Sequence, residues 1–273
     1  MTVTEALNEA GRLGLARPDA QRLLLHALGR EPSDRAWLFA HDTDAVPEPA
    51  AALFQALCGR SVNGEPLAYL LGRQAFFGLE LQVDPRVLIP RPDTETLVEW
   101  ALERLGPGAS VLDLGTGSGA IALALKQARP DARVVAVDAS QDALQVARDN
   151  ARRLTLEVQW RHGCWLDGVE ADYDLIVSNP PYIAQGDVHL LALTHEPGSA
   201  LVAGPDGLGD LRRIIAAAPS HLRPGGWLFL EHGWDQAACV RALLQAAGFE
   251  EVASRRDLAG NDRCSGGRRL ELG

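Results

Sequence analysis

Lysine is almost missing from this 273-residue chain: Lys126 stands alone, and the other 25 of the 26 basic side chains are arginine. That skew reads as a coding preference for arginine and carries no function by itself. Cysteine is scarce too. Cys58, Cys164, Cys239 and Cys264 lie far apart and form no CxxC pair, which excludes a disulfide framework or a structural zinc site and leaves reduced thiols as the expectation. No apolar run approaches the roughly 18–20 residues of a membrane helix. The opening Met1-Thr2-Val3-Thr4-Glu5-Ala6 lacks the basic and apolar segments of a secretory signal. Positive charge is in deficit: 26 basic against 36 acidic side chains give a net charge of −10, with a pI near 5.2. A broad grip on nucleic-acid phosphate calls for the opposite balance. A cytoplasmic protein without membrane or direct nucleic-acid partners is expected.

What is present suits a folded core. Hydrophobic residues make up 47% of the chain and charged ones 23%. The length suits one large domain, or a large one plus a small one. Up to about residue 75 the pattern is helical: Val3, Ala6, Leu7 and Ala10 recur at helical spacing. Asp19 is placed to cap 20–28, Ser33 to cap 34–40, and Pro47 to open a helix through Leu57. The period then changes to two, with Phe77, Leu79, Leu81 and Val83 alternating with Gly78, Glu80 and Gln82 as in a half-buried strand. Ile89-Pro90-Arg91-Pro92-Asp93-Thr94-Glu95 follows, where two prolines forbid regular structure before a helix that Pro92 can start. Residues 76–93 therefore read as a hairpin and proline-rich connector. From Ser110 onward short apolar strands alternate with helices, within a domain taken to begin at 94. Strands are expected at 110–114, 133–137, 156–160, 174–178, 226–231, 250–253 and 268–272, and helices at 120–128, 140–152, 207–217 and 235–247. This alternation predicts an α/β fold, a doubly wound, mainly parallel sheet covered on both faces.

The first chemical signal is Asp113-Leu114-Gly115-Thr116-Gly117-Ser118-Gly119-Ala120. A buried strand enters a turn of three alternate glycines and a helix starts at once, so the backbone can turn sharply and a ligand can approach without a Cβ in its way. Asp138 ends the next strand, where such folds place a carboxylate for ribose hydroxyls. With Ala120 at the sixth position the loop nearly meets the dinucleotide fingerprint, so a nicotinamide cofactor competes with S-adenosylmethionine. Asp113 favours the second, since a carboxylate repels pyrophosphate and attracts a ligand carrying ammonium and sulfonium charge.

The second signal is Asn179-Pro180-Pro181-Tyr182 directly after the 174–178 strand. The prolines make a rigid extended turn and remove two N–H donors, leaving the carbonyls of Asn179 and Pro180 free to accept from elsewhere. Its place at the carboxyl end of a strand is where open α/β sheets bind ligands.

Taken together, Asp113-x-Gly115-x-Gly117-x-Gly119 and Asn179-Pro180-Pro181-Tyr182 resemble class I methyltransferases that modify planar, amide-like nitrogens. The segment from Ile89 to Glu95, Glu231-His232-Gly233, Asn261-Asp262-Arg263 and the helical first part narrow the resemblance to the bacterial release-factor glutamine methyltransferases of the PrmC/HemK type. The resemblance covers nearly the whole chain. It implies a Rossmann-like seven-stranded catalytic domain at 94–273, a small N-terminal helical bundle at 1–75 that docks the substrate, and a hairpin between them. It implies methyl transfer from S-adenosylmethionine to the glutamine amide nitrogen in the Gly-Gly-Gln tip of class I peptide-chain release factors by a monomeric enzyme without a metal. Carried over residue by residue, Gly115, Thr116, Gly117, Ser118 and Gly119 would hold the methionine part of the donor, Asp138 its ribose and Trp165 its adenine. Asn179, Pro180, Pro181 and Tyr182 would hold the glutamine, with Asn179, Pro180 and Tyr182 catalytic and Asn179 also touching the donor. Arg91 and Glu95 would brace the proline-rich strap, and His232 would satisfy loop backbone. The competing readings are an adenine amino methyltransferase acting on nucleic acid, which would need a basic recognition region, and a donor-binding adaptor without turnover.

Overall fold

The computed structural model describes residues 1–169 and 172–270, which divide into two compact units, 1–73 and 74–273. In the first, five helices surround their own apolar core: α1 (Val3–Arg12), α2 (Arg17–Ala27), α3 (Arg35–Ala40), α4 (Glu48–Val62) and α5 (Leu67–Leu71). Helix α1 starts with a reciprocal cap, since the Thr2 hydroxyl accepts from Glu5 N–H and the Glu5 carboxylate accepts from Thr2 N–H. Two expected caps move. Pro18 falls in the first turn of α2, so Ala16 caps it and Asp19 lies inside the helix. Asp34, not Ser33, caps α3 by accepting from Trp37 N–H at 3.3 Å. Leu23, Leu24, Phe54 and Leu57 fill the core between α2 and α4.

Next comes the expected hairpin, β1 (Arg73–Phe76) and β2 (Leu79–Gln82), which begins ahead of residue 76 and turns where the alternation reads as strand. Phe77 and Gly78 form the turn between them with φ of +46° and +74°. Both central residues at positive φ are what a tight two-residue hairpin requires. Glu95, at the start of α6 (Glu95–Arg104), accepts a 2.8 Å bond from Phe77 N–H and so holds that turn. The strap between them, including a short turn at Pro92–Thr94, has no regular pairing.

The second unit is built on seven strands: β3 (Ser110–Leu114), β4 (Arg133–Asp138), β5 (Gln159–His162), β6 (Tyr173–Ser178), β7 (Leu222–Glu231), β8 (Phe249–Arg256) and β9 (Asp262–Arg269). Their spatial order is β5-β4-β3-β6-β7-β9-β8; the first five run parallel and β9 inserts antiparallel between β7 and β8. Helices α7 (Ala120–Ala128), α8 (Gln141–Leu154), α9 (Gly209–Ala217) and α10 (Ala237–Ala246) complete the unit. Side chains alternate between two cores. Val111, Val134, Ala136, Val177 and Phe229 face α6 and α7, whereas Leu112, Val135, Ile176, Leu228 and Leu230 face α9 and α10. Burial on both faces is why these strands read as continuous apolar runs. The last strand lies earlier in sequence than expected, and residues 271–272 of that expectation fall outside the described residues. Its Gly266 has a physical reason to be glycine, because a Cβ there would lie 2.1 Å from Phe229 Cδ1.

Candidate active site

The carboxyl ends of β3, β4 and β6 meet at one cavity of about 420 Å³. That is within the roughly 300–1,000 Å³ usual for a small-molecule site. Gly115 and Gly117 of the glycine turn, Asp138, Trp165, Asn179 and Pro181 line it, along with Val87 and Leu88 of the strap. The two sequence signals thus share one site at the switch in strand order, where β4 and β6 leave β3 on opposite sides.

The turn's shape requires its glycines. Gly115, Gly117 and Gly119 have φ of +70°, +56° and +84°. A Cβ on Gly115 would stand 3.0 Å from Trp165 Cζ3, and one on Gly119 would meet Leu123, Ala147 and Trp160 at 3.1–3.2 Å. Gly119 thus packs helix against helix, whereas Gly115 leaves room for the indole and whatever lies on it. Thr116 and Ser118 are buried and do not line the cavity. The Asn150 side chain on α8 fixes the loop from behind, donating at 3.0 Å to both the Ser118 and the Gln82 carbonyl.

Asp138 is held by two backbone bonds, from Gly117 N–H and Ser140 N–H, both 2.8 Å, and burial raises its pKa. Trp165 is unusual: a bulky residue at φ +54°, a region L-residues seldom occupy. Its indole N–H donates to Asp210 at 3.0 Å, which fixes the ring plane. Asp113 departs from expectation. It is fully buried, accepts a 2.6 Å bond from the Thr116 hydroxyl, and burial pushes its pKa up to about 7 despite that bond. It does not line the cavity, so it supports the loop and offers no bare carboxylate to a ligand.

The Asn-Pro-Pro-Tyr turn leaves β6 with Pro180 and Pro181 buried. Asn179 Nδ2 donates to Thr94 Oγ1 at 3.3 Å, so the carboxamide oxygen remains as an acceptor. Among the described residues, no donor is bonded to the carbonyl of Asn179 or Pro180. Tyr182 donates to Glu231 at 3.3 Å, and burial raises its pKa, so it stays a neutral phenol. Gln236 secures the turn's exit by donating to the Tyr182 carbonyl at 3.0 Å.

The strap is tied down twice. Glu196, buried, accepts from Ile89 N–H at 3.0 Å and also pairs with Arg91. Arg263 bridges Asp93 at 3.3 Å and Asp257 at 3.0 Å. Glu95 serves the hairpin turn instead of the strap. His232 donates from Nδ1 to the Gly233 carbonyl at 2.8 Å and bonds Ser265 at 2.7 Å, and its burial favours the neutral ring. Thr94, Glu196 and Glu231 had no assigned role in the sequence reading. Glu196 carries no pattern there, because its partners lie more than a hundred residues away. Among the described residues, no group of three or more His, Cys, Asp or Glu side chains is placed to hold a metal, and no helix is long and apolar enough to cross a membrane.

A backbone cradle without Cβ atoms, a carboxylate at the end of β4 and a fixed indole plane fit an adenosine-bearing ligand. The turn beside it can accept both hydrogens of a planar NH2 group, which suits transfer onto a conjugated nitrogen.

Comparison with known proteins agrees. Residues 92–196 match the family model "Methyltransferase small domain", and residues 2–72 match "PrmC N-terminal domain". A release factor glutamine methyltransferase of Bordetella pertussis is 53% identical over 93% of this chain and 95% of its own. One from Xylella fastidiosa is 51% identical over 96% and 97%. Among solved structures, a methyltransferase from Pyrococcus furiosus shares the fold at a TM-score of 0.56, with 21% identity, over 78% of this chain and 97% of that one.

Proposed function

The chain belongs to the release factor glutamine methyltransferase family, and from that membership we propose that it methylates the side-chain amide nitrogen of the glutamine in the Gly-Gly-Gln tip of class I peptide-chain release factors. The observation that carries this reading is the Asn-Pro-Pro-Tyr turn, with free carbonyl acceptors, set against a cavity shaped for the methyl donor.

S-adenosylmethionine, when bound, supplies a methyl group already activated on a sulfonium, so no metal or covalent enzyme intermediate is required. Gly115 and Gly117 would border the methionine arm, with Thr116, Ser118 and Gly119 setting the loop's course. Asp138 would take the ribose and Trp165 would flank the adenine, both lining the cavity. The substrate's difficulty is electronic, because an amide nitrogen's lone pair is delocalised into its carbonyl. The Asn179 carboxamide oxygen and the Pro180 carbonyl accept the two N–H hydrogens, aiming the nitrogen at the methyl and stabilising the positive charge that grows there. Tyr182 packs on the amide plane and excludes water. On this reading the nitrogen pair would form the new N–C bond as the C–S pair left with sulfur, and the nitrogen would then lose one proton. Alignment of this kind is worth effective molarities of about 10⁵–10⁸ M.

The helical unit serves as a docking surface for the protein substrate, and the enzyme works as a cytoplasmic monomer without a nucleic-acid partner. The test offers purified release factor and unmethylated DNA in parallel with labelled donor, then maps the product by mass spectrometry. One methyl on the Gly-Gly-Gln glutamine is the expected result. Label in DNA alone would refute the substrate assignment.

A further inference from the structure

Asp210, the second residue of α9, lines the donor cavity, and its Oδ1 accepts the Trp165 indole N–H at 3.0 Å. Among the described residues, no donor is bonded to its other oxygen, Oδ2. The usual partners of a carboxylate in the first turn of a helix are that helix's free N–H groups or a nearby cation. Here both are taken up elsewhere. Asp206 accepts from Leu208 N–H at 3.1 Å and pairs with Arg212, and Asp167 pairs with Arg213. Asp210 is thus a half-committed acceptor in the cavity wall. We propose that Asp210 determines which purine the donor site admits: its free oxygen accepts from the exocyclic amino group of adenine and turns away hypoxanthine, which carries a carbonyl oxygen in that place.

The argument is one of position and polarity. An indole N–H lies in the plane of its ring, so a carboxylate bonded to it stands at the ring's rim and leaves both faces clear. Gly115 keeps the six-membered ring open to the cavity, because a Cβ there would stand 3.0 Å from Cζ3. A base stacked on the indole brings its own rim to the same carboxylate. The ring cannot swing aside, being held by its backbone at φ +54° and by Asp210 itself. Base plane and acceptor are therefore set relative to each other before any ligand arrives.

An ionised carboxylate accepts and does not donate. The adenine amino group has hydrogens to give it, whereas the carbonyl oxygen of hypoxanthine would meet it as acceptor against acceptor. Hypoxanthine does carry a ring N–H beside that carbonyl. Bringing this hydrogen to Oδ2 means turning the base in its plane, and the hold of Asp138 on the ribose at the other end opposes the turn.

This inference rests on the proposed donor site, with Trp165 against the base. The test measures by titration calorimetry the affinities of S-adenosylhomocysteine and S-inosylhomocysteine for the wild type, D210N and D210A, each first shown to be folded by urea unfolding. We expect the wild type to bind the adenine ligand about 10- to 100-fold more tightly, the size of one hydrogen bond to a charged group. D210N keeps an oxygen for the indole and turns N–H hydrogens towards the base, so its preference narrows to within about threefold or reverses. In D210A, which offers the base neither acceptor nor donor, the two ligands also come within about threefold of each other. Equal affinity of the wild type for the two ligands would overturn the role. So would variants that lose affinity for both in the same proportion, the mark of a residue that only braces the indole. A wild type that binds neither ligand would overturn the donor-site reading itself, and this role with it.

Discussion

Replacing Gly115 by alanine separates backbone strain from the making of the donor cavity, because Gly78 provides a matched control. The two glycines have nearly the same φ, +70° and +74°. An L-residue in this region costs about 1–2 kcal/mol. At Gly78 a Cβ would meet nothing within 4 Å, so G78A loses that amount alone. At Gly115 it would lie 3.0 Å from Trp165 Cζ3 and 3.4 Å from Cη2. The indole has little freedom to retreat, being held by Asp210 at 3.0 Å and by its own backbone at φ +54°. Overpacking of this kind adds about 1–3 kcal/mol, so G115A loses about 2–5 kcal/mol in all. Its methyl group also enters the space between loop and indole that the proposed function assigns to the donor. Urea unfolding gives the stabilities, and titration calorimetry gives the donor affinity. We expect G115A to weaken donor binding at least tenfold, roughly 1.4 kcal/mol or more, while G78A leaves it unchanged. If G115A binds the donor normally and loses no more stability than G78A, the cavity is wrongly assigned.

Two further outcomes follow from buried carboxylates. The Asp113 pKa, raised by burial to about 7 from the usual carboxylate range, means that the folded state holds its proton more tightly than the unfolded chain. Its contribution to stability is complete below about pH 4 and fades as pH rises through about 7. D113N has no such proton, so its stability relative to the wild type improves by up to about 1.4 kcal/mol per pH unit between those limits; a difference that stays constant between urea curves at pH 5 and pH 8 would contradict this. Removing Glu196 strands Ile89 N–H and Arg91 and frees the strap that carries Val87 and Leu88 into the cavity wall. E196A should weaken donor binding several-fold by calorimetry, and an unchanged affinity would show that the strap needs no clasp.

How much of this was legible in the sequence depended on the range of the forces involved. The β3–glycine turn–α7 unit could be read to the residue, because strand hydrophobicity, positive-φ glycines and helix start are all local. The turn at Asn179–Tyr182 was legible for the same reason. Chain pairing was less so. Phe77 reads as a strand residue by alternation, and only the partner strand makes it a turn residue. Strand β5 starts at Gln159, not 156, since pairing with β4 begins at Val135 and leaves the earlier residues without a partner. Asp113 looked like a ligand-facing charge because sequence order says nothing of which side of the loop a carboxylate takes. Glu196 and Asn150 were invisible: each acts on backbone groups distant in sequence, which leaves no periodic trace.

The central claim is that the Asn-Pro-Pro-Tyr turn orients a planar amide for transfer, a role separable from the contact Asn179 makes with the donor cavity. It is met most directly by Asn179→Ala, followed in two separate readouts: single-turnover transfer to the release-factor glutamine and calorimetric donor affinity. Loss of a preorganised acceptor in such a site costs about 10²–10³ in rate. The account predicts a fall of at least that size, with donor affinity within a few-fold of the wild type. Full transfer activity in the variant, or a loss explained entirely by failure to bind the donor, would contradict it.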